Sequence, residues 1–202
     1  MSLAWLLLSM KALECLGNAS MRKTIAIALC ALLASPAVAE SVGEKTGINS
    51  VLGLSPTTRD FVQEAAIGDM FEIESSKLAE QRADDATKVF AKQMIADHTK
   101  TSDELKAAVA SDANTPLPIA LDSSHQGKLD KLTGLTGEDF TKQYREMQVT
   151  AHKNAVSLFE RYAKGGDSEK LSHWAAKTLP DLKHHLELAQ ALEKGGSASA
   201  SR

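Results

Sequence analysis

Apolar residues recur every three or four positions from residue 57 to residue 193, and this helical period limits the fold more than any other feature of the sequence. No run of residues alternates β-branched and polar side chains in the way that a strand requires. Four long segments and one short segment carry the period, and glycine, proline or polar residues separate them. The pattern predicts an all-α bundle of four to five helices.

Two breaks within the bundle bear on its shape. Gly165 and Gly166 follow the fourth helical segment and are expected to end it as a C-cap pair. Pro180 lies inside the fifth segment, where a proline lacks the amide proton and clashes with the preceding turn. We therefore expect the last helix to be kinked or split at Pro180.

The first 39 residues have the form of a secretory leader. Two basic residues follow Met21, a short apolar run comes next, and an A-x-A cleavage site ends at Ala39. This arrangement predicts cleavage after Ala39 and favours a translation start at Met21, the alternative being one long leader that includes the apolar run from Leu3 to Leu8. Neither apolar run in the leader reaches the ~20 residues that a membrane-spanning helix needs. We therefore expect a periplasmic or secreted protein with no transmembrane anchor after cleavage.

Removal of the leader changes the chemistry that is open to the chain. Both cysteines, Cys15 and Cys30, lie in the leader, so the exported chain has no thiol for catalysis, metal binding or disulfides. The leader also holds three of the 23 basic residues and one of the 26 acidic residues, which leaves a net charge of −5. That balance excludes a generally basic nucleic-acid binder. The predicted organisation is a leader over 1–39, a flexible lead-in over 40–56, a bundle domain over 57–193 and a disordered tail over 194–202.

The histidines are the most informative polar residues of the predicted helices. A rotation of about 100° per residue places four of the six on inward-facing arcs of four different helices, namely His98, His125, His152 and His185. His173 and His184 fall on the opposite, charged face of the last helix. Glu72 lies among small residues on a packing face of the first helix.

Two hypotheses account for these inward-facing polar residues. In the first, Glu72, His98, His152 and His185 converge and hold a transition metal such as iron, copper, zinc or manganese. In the second, they form a satisfied polar network that fixes the register of the helices, with partners drawn from Asp97, Gln148 and Asp181. The sequence favours the network, because structural polar clusters use the same residue types as functional sites.

Four sequence patterns give the chain a resemblance to a known family. They are Phe61-Val62-x-x-Ala65-x-x-Gly68 with Glu72, Met94-Ile95-x-Asp97-His98-Thr99, Asp139-Phe140-x-x-x-Tyr144 with His152, and Trp174-Ala175-x-x-x-Leu179-Pro180-x-Leu182-x-x-His185-Leu186. Over about residues 57–193 the chain resembles the bacterial domain of unknown function 4142. The resemblance implies an exported protein with a ferritin-like bundle and no established activity. Members are often labelled outer-membrane proteins, a label that the helical period of this chain does not support.

The ferritin-like fold raises the question of a di-iron centre. Such a centre uses a Glu-x-x-His motif on two helices and a glutamate from each of two others. The residues three positions before His98, His152 and His185 are Ile95, Val149 and Leu182, all apolar, so the ferritin-type ligand set is absent.

The sequence therefore predicts an exported helical bundle of unknown biochemical activity. Its role would be in binding, interaction or stress, with a buried His/Glu network, and no motif indicates an enzyme. The alternative is a metal-binding or metal-dependent redox protein with a non-standard ferritin-like site. A partner protein or a homo-oligomer is not specified by any pattern in the sequence.

Overall fold

The structure is a computed structural model that describes residues 52–112 and 114–200, with side chains as far as Gly195. The predicted leader over 1–39 lies outside the described residues, as do residues 40–51 of the predicted lead-in and the last two residues of the chain. Among the described residues, no helix combines the length and the hydropathy that are needed to cross a membrane.

The part of the chain that the structure describes contains five complete helices and no strand, which confirms the predicted all-α bundle. The helices are α1 (Thr58–Arg82), α2 (Asp85–Val109), α3 (Ser123–Thr133), α4 (Gly137–Gly165) and α5 (Glu169–Ala200). The most extensive packing is between α4 and α5 and between α1 and α2, and α1 also packs against α4. Four long helices thus surround a common interior, and the short α3 contacts α1 and α4.

Local side chains set the starts of three helices. Thr57, Asp84 and Asp122 lie one residue before α1, α2 and α3, and the side chain of each accepts a hydrogen bond from a backbone amide of the first turn. Such caps satisfy amide groups that have no partner inside the helix. The positions of these helices are therefore fixed by the sequence next to them.

The end of α4 depends on a glycine for a steric reason. Gly166 follows the last residue of the helix, as predicted, and its amide donates to the Tyr162 carbonyl oxygen at 2.8 Å. Its φ of −65° is accessible to any residue, so the left-handed C-cap conformation is not used here. A Cβ atom at this position would lie 2.7 Å from the Tyr162 ring and from Ser172 Oγ, which only a glycine avoids.

The last helix is longer than the sequence indicated. It runs without interruption through Pro180, so it is not split there, and the kink remains a prediction. It also continues to Ala200, across most of the predicted tail. Gly195 and Gly196 lower the helix propensity of that segment, but glycine does not forbid helical backbone angles, so the pair does not end the helix.

Two apolar clusters form the core, and a polar layer lies between them along each long helix. One cluster is centred on Phe61, Phe159, Tyr162 and Trp174, and the other on Phe90, Met94, Phe140 and Tyr144. On α1, α2, α4 and α5, the buried residues Glu72, His98, His152 and His185 fall in sequence between the residues of the two clusters. The candidate site is this polar layer.

Candidate metal centre

Three histidines from three helices meet in the polar layer. They are His98 on α2, His152 on α4 and His185 on α5, with only 4%, 1% and 3% of their surface exposed. Their ring centroids lie 5.5 to 5.7 Å apart. One potential ligand atom from each ring lies within 4.8 Å of those of the other two. The bundle thus brings three imidazoles within reach of a single metal ion.

One nitrogen of each ring is held by an oxygen acceptor. His98 Nδ1 lies 2.7 Å from Asp69 Oδ1, and His185 Nε2 lies 2.9 Å from Asp97 Oδ2. His152 Nδ1 lies 2.9 Å from the carbonyl oxygen of Gln148, one turn earlier on the same helix. Because a carboxylate or a carbonyl accepts, the bonded ring nitrogen donates in each case. These three contacts fix the orientation of the rings.

The other nitrogen of each ring has no hydrogen-bond partner among the described residues. These atoms are Nε2 of His98, Nε2 of His152 and Nδ1 of His185. A buried polar atom without a partner costs about 1–3 kcal/mol, so three of them close together need an explanation. Histidines that bind metals commonly donate one ring N–H to a carboxylate or carbonyl and present the other nitrogen to the ion. The arrangement found here fits that pattern.

Asp69 is the best-bonded carboxylate of the centre. Its Oδ2 accepts from Thr101 Oγ1 at 2.9 Å and from Ser102 Oγ at 3.3 Å, while its Oδ1 faces His98. Its charge is therefore stabilised by three donors, and its position is fixed by α2 as well as by its own helix, α1.

Glu72 lies beside the three histidines without being one of the group. It is 4% exposed, and its Oε1 lies 4.0 Å from His152 Nδ1. Neither of its carboxylate oxygens has a hydrogen-bond partner in the described part of the chain. Burial raises the pKa of Glu72 above its ordinary value, although His98 and the nearby amide of Gln148 act in the opposite direction. Glu72 thus places a second carboxylate, in addition to Asp69, next to the three histidines.

The electrostatics separate the histidines into two kinds. Burial, together with the neighbouring His98, lowers the pKa of His152 to about 4. Burial and the same neighbour also lower the pKa of His185 to about 4. Burial acts on His98 as well, but its hydrogen bond and charge attraction to Asp69 outweigh it, so the pKa of His98 is raised. His152 and His185 are therefore neutral at pH 7, which is the form that binds metals.

Of the four histidines that the helical phase places inward, the structure buries three at the centre. His98, His152 and His185 come together, and Glu72 lies next to them, whereas His125 is half-buried and contacts Phe71 and its own cap residue Asp122. His173 and His184 are exposed, as expected from the helical phase.

The partners of the histidines were also identified in part. Asp97 and Gln148 do contact histidines of the centre, Gln148 through its backbone, while Asp181 is exposed. Asp69 was missed. The available signal was its position three residues before Glu72, which places both carboxylates on one face of α1.

Comparisons with known proteins agree with this fold. The model of a family described as "Domain of unknown function (DUF4142)" matches residues 43–192. A solved structure described as "CopM in the Cu(II)-bound form" is similar, with a TM-score of 0.59 and 14% sequence identity over 70% of this chain and 99% of that chain. At that identity the likeness concerns the fold alone. A comparison with curated proteins gave no significant match.

Proposed function

Because this chain belongs to the DUF4142 family, a family defined without a biochemical function, we propose its function from the site itself: it binds a transition metal ion. The ligands in this proposal are His98, His152 and His185, and Glu72 is the carboxylate next to them. The four residues come from four different helices, so a bound ion would join α2, α4 and α5 beside α1.

The observation that carries the proposal is the state of the six ring nitrogens. In a satisfied polar network, both nitrogens of each buried histidine would have partners. Here one nitrogen of each of the three rings is bonded, and the other has no partner in the part of the chain that the structure describes. A metal ion would provide the missing partner for all three at once, and it would balance the charge of Glu72.

The donor set favours copper, zinc, iron or nickel over magnesium or calcium. Imidazole nitrogen suits these ions, whereas magnesium and calcium prefer oxygen ligands. Among divalent ions, Cu²⁺ binds a given nitrogen site most tightly. The similar fold described in a Cu(II)-bound form adds a reason to test this ion first. We therefore propose Cu(II) as the ion to examine.

Burial favours a binding role over catalysis on an organic substrate. The side chains that would hold the ion are at most 4% exposed, so a bound ion would be enclosed by the bundle. The proposed function is therefore metal binding outside the cytoplasm. The proposal of export depends on the leader that the sequence predicts over residues 1–39.

Metal stoichiometry tests the proposal directly. Untagged protein would be titrated with Cu(II) and then with Zn(II) by calorimetry, and its metal content would be measured after gel filtration. We expect one ion per chain in the wild type and a loss of at least tenfold in affinity in His98→Ala, His152→Ala and His185→Ala.

The matched control is His184→Ala, since His184 is exposed and directly precedes His185 on the same helix. It should bind as the wild type does. Equal binding by His98→Ala and His184→Ala would show that the buried cluster is not the site and would leave the structural network as the better explanation.

A further inference from the structure

The metal centre is enclosed on most sides, and one of its residues connects it to solvent. The side chain of Asp97 is 43% exposed, whereas that of His185, to which it is bonded, is 4% exposed. Asp69, the carboxylate that is hydrogen-bonded to His98, has a side chain that is only 11% exposed. Asp97 is therefore the charged group of the centre that a hydrated cation can reach from outside.

His185 lies between the exposed carboxylate of Asp97 and the buried histidines His98 and His152. Its Nε2 faces the exposed carboxylate of Asp97, and its Nδ1 is buried with no hydrogen-bond partner among residues 52–112 and 114–195. The ring thus spans the distance between the solvent side and the interior of the bundle. Its centroid lies 5.7 Å from that of His98 and 5.5 Å from that of His152.

The two helices on this side pack less extensively than the other neighbouring pairs of long helices, α1 with α2, α4 with α5 and α1 with α4. They are α2, which carries Asp97, and α5, which carries His185. Pro180 lies five residues before His185 and removes one hydrogen bond from the backbone of α5. A small movement of His185 is therefore easier than one of His98 or His152.

A second surface approaches the centre but is chemically unsuitable for a cation. A mainly apolar groove is lined by Val89, Phe90, Leu188 and Leu192, and the one carboxylate on it, Asp84, is paired with Arg145. The Phe90 ring, which lines this groove, lies 6.4 Å from the His152 ring. A hydrated ion loses water at such a surface without gaining ligands.

We propose that the Asp97–His185 pair is the access route of the metal centre, through which the ion exchanges with solvent. This inference rests on the proposed function. Asp97 attracts the cation and holds it at the surface, and the His185 ring then releases its Nε2–H hydrogen bond to Asp97 and swings aside to let the ion pass toward His98 and His152. The ring returns with the proton still on Nε2, donates to Asp97 again, and presents Nδ1 to the ion. Asp97 is in this scheme a positioning residue for His185 and the first group that an incoming cation meets.

Binding kinetics distinguish this role from simple orientation of a ring. The rates of Cu(II) association and dissociation would be measured by stopped flow at several salt concentrations for the wild type, Asp97→Asn, Asp69→Asn and Asp181→Asn. All three substitutions remove one carboxylate without changing the size of the side chain. Thermal melts would establish that each variant is folded.

We expect Asp97→Asn to lower the association rate constant by about three- to tenfold and to weaken its dependence on salt, because charges at a binding site steer association. Asp69→Asn removes a buried orienting carboxylate and should act more on dissociation than on association. Asp181→Asn removes an exposed charge one turn before His185 and should bind as the wild type does.

The outcomes separate the two proposals. If the wild type binds Cu(II) but Asp97→Asn retains the wild-type association rate and changes only dissociation, Asp97 merely orients His185 and the access route is wrong. If Asp181→Asn slows association as much as Asp97→Asn does, general surface charge explains the effect and the specific route is likewise wrong. If the wild type does not bind Cu(II) or Zn(II), the proposed function fails and the access route fails with it.

Discussion

At the scale of single residues, the centre is defined by how each polar atom is paired. One N–H of each ring donates a hydrogen bond, and the acceptors are Asp69, Asp97 and the Gln148 carbonyl oxygen. The other three ring nitrogens have no partner in the described structure. An alternative in which the histidines only stabilise the fold would leave those atoms as an uncompensated cost. The pairing therefore favours a centre built for a ligand over one built for stability.

The lowered pKa values of His152 and His185 predict how the stability of the metal-free protein depends on pH. In the unfolded chain each histidine titrates near 6.5, but in the folded chain both stay neutral to about pH 4. The unfolded state binds more protons between these values, so both groups make the folded state less stable as the pH falls. The raised pKa values of His98 and Glu72 act in the opposite direction.

A comparison of variants isolates this effect for one histidine. The unfolding free energy of the wild type minus that of His152→Asn should become about 1 kcal/mol smaller when the pH is lowered from 6.5 to 5.5. Urea denaturation at the two pH values measures it, with His184→Asn as the exposed control. A difference that does not change with pH would mean that His152 is protonated as readily in the folded chain as in the unfolded one.

Glu72 should have opposite effects on stability and on metal binding. Burial raises the pKa of Glu72, so the folded state disfavours its charge, and stability is lost as the pH rises through the folded pKa. Glu72→Gln removes that cost, and we expect the metal-free variant to be at least as stable as the wild type at pH 7. It should bind Cu(II) about tenfold more weakly, because a charge near the ion is lost.

Urea denaturation and calorimetric titration of the same preparation check both parts of this prediction. Glu74→Gln is the control, since Glu74 is exposed on the same helix and pairs with Lys77. A large loss of stability in metal-free Glu72→Gln would show that the carboxylate has a cationic partner in the folded protein.

At the scale of helices, the end of α4 provides a test of the packing near Tyr162. The Cβ of an alanine at position 166 would lie 2.7 Å from the Tyr162 ring, which also stacks on Phe61 with centroids 3.9 Å apart. Relief of this overlap requires movement of the ring or the backbone, and we expect Gly166→Ala to destabilise the protein by about 1–3 kcal/mol.

Gly127→Ala is the matched control for that substitution. Gly127 lies inside α3, and a Cβ there would meet no described atom within 4 Å. Since alanine is the better helix former, this variant should be about 0.5–1 kcal/mol more stable. Thermal or urea denaturation compares the pair, and equal effects of the two substitutions would contradict the steric role of Gly166.

At the scale of the whole molecule, the polar layer divides the interior into two apolar halves. Each of the four long helices contributes residues to both halves. The three histidines of the polar layer bring α2, α4 and α5 together between the halves. A bound ion would hold these helices in one register. Ion binding should therefore be visible in the unfolding of the entire bundle and not only near the site.

Copper should stabilise the bundle by mass action. A ligand that binds only the folded state adds about 2.7 kcal/mol at a free concentration of 100 times its Kd. We expect a higher Tm with Cu(II), a return to the original Tm after addition of a chelator, and no rise in His98→Ala. Differential scanning calorimetry measures these shifts, with His173→Ala as the exposed control. An equal rise in His98→Ala would indicate that copper binds elsewhere.

The helical architecture could be predicted from the sequence because its causes are local. The apolar period, the cap residues Thr57, Asp84 and Asp122, and the inward phase of the histidines all depend on residues within a few positions of one another. The continuation of α5 through Pro180 could not be predicted in this way. A proline inside a helix has a free-energy cost, and whether the helix continues depends on whether packing along its entire length outweighs that cost.

The composition of the centre was decided by tertiary structure. Helical phase placed His125 inward as well, although the structure leaves it half-buried beside Phe71, and it gave no indication that Asp69 would hold His98. These contacts join residues as far apart as Asp97 and His185, which are 88 positions apart in the chain. Such contacts depend on the axial offset and rotation of one helix against another, and these are set by how the two apolar clusters pack and not by any short stretch of sequence.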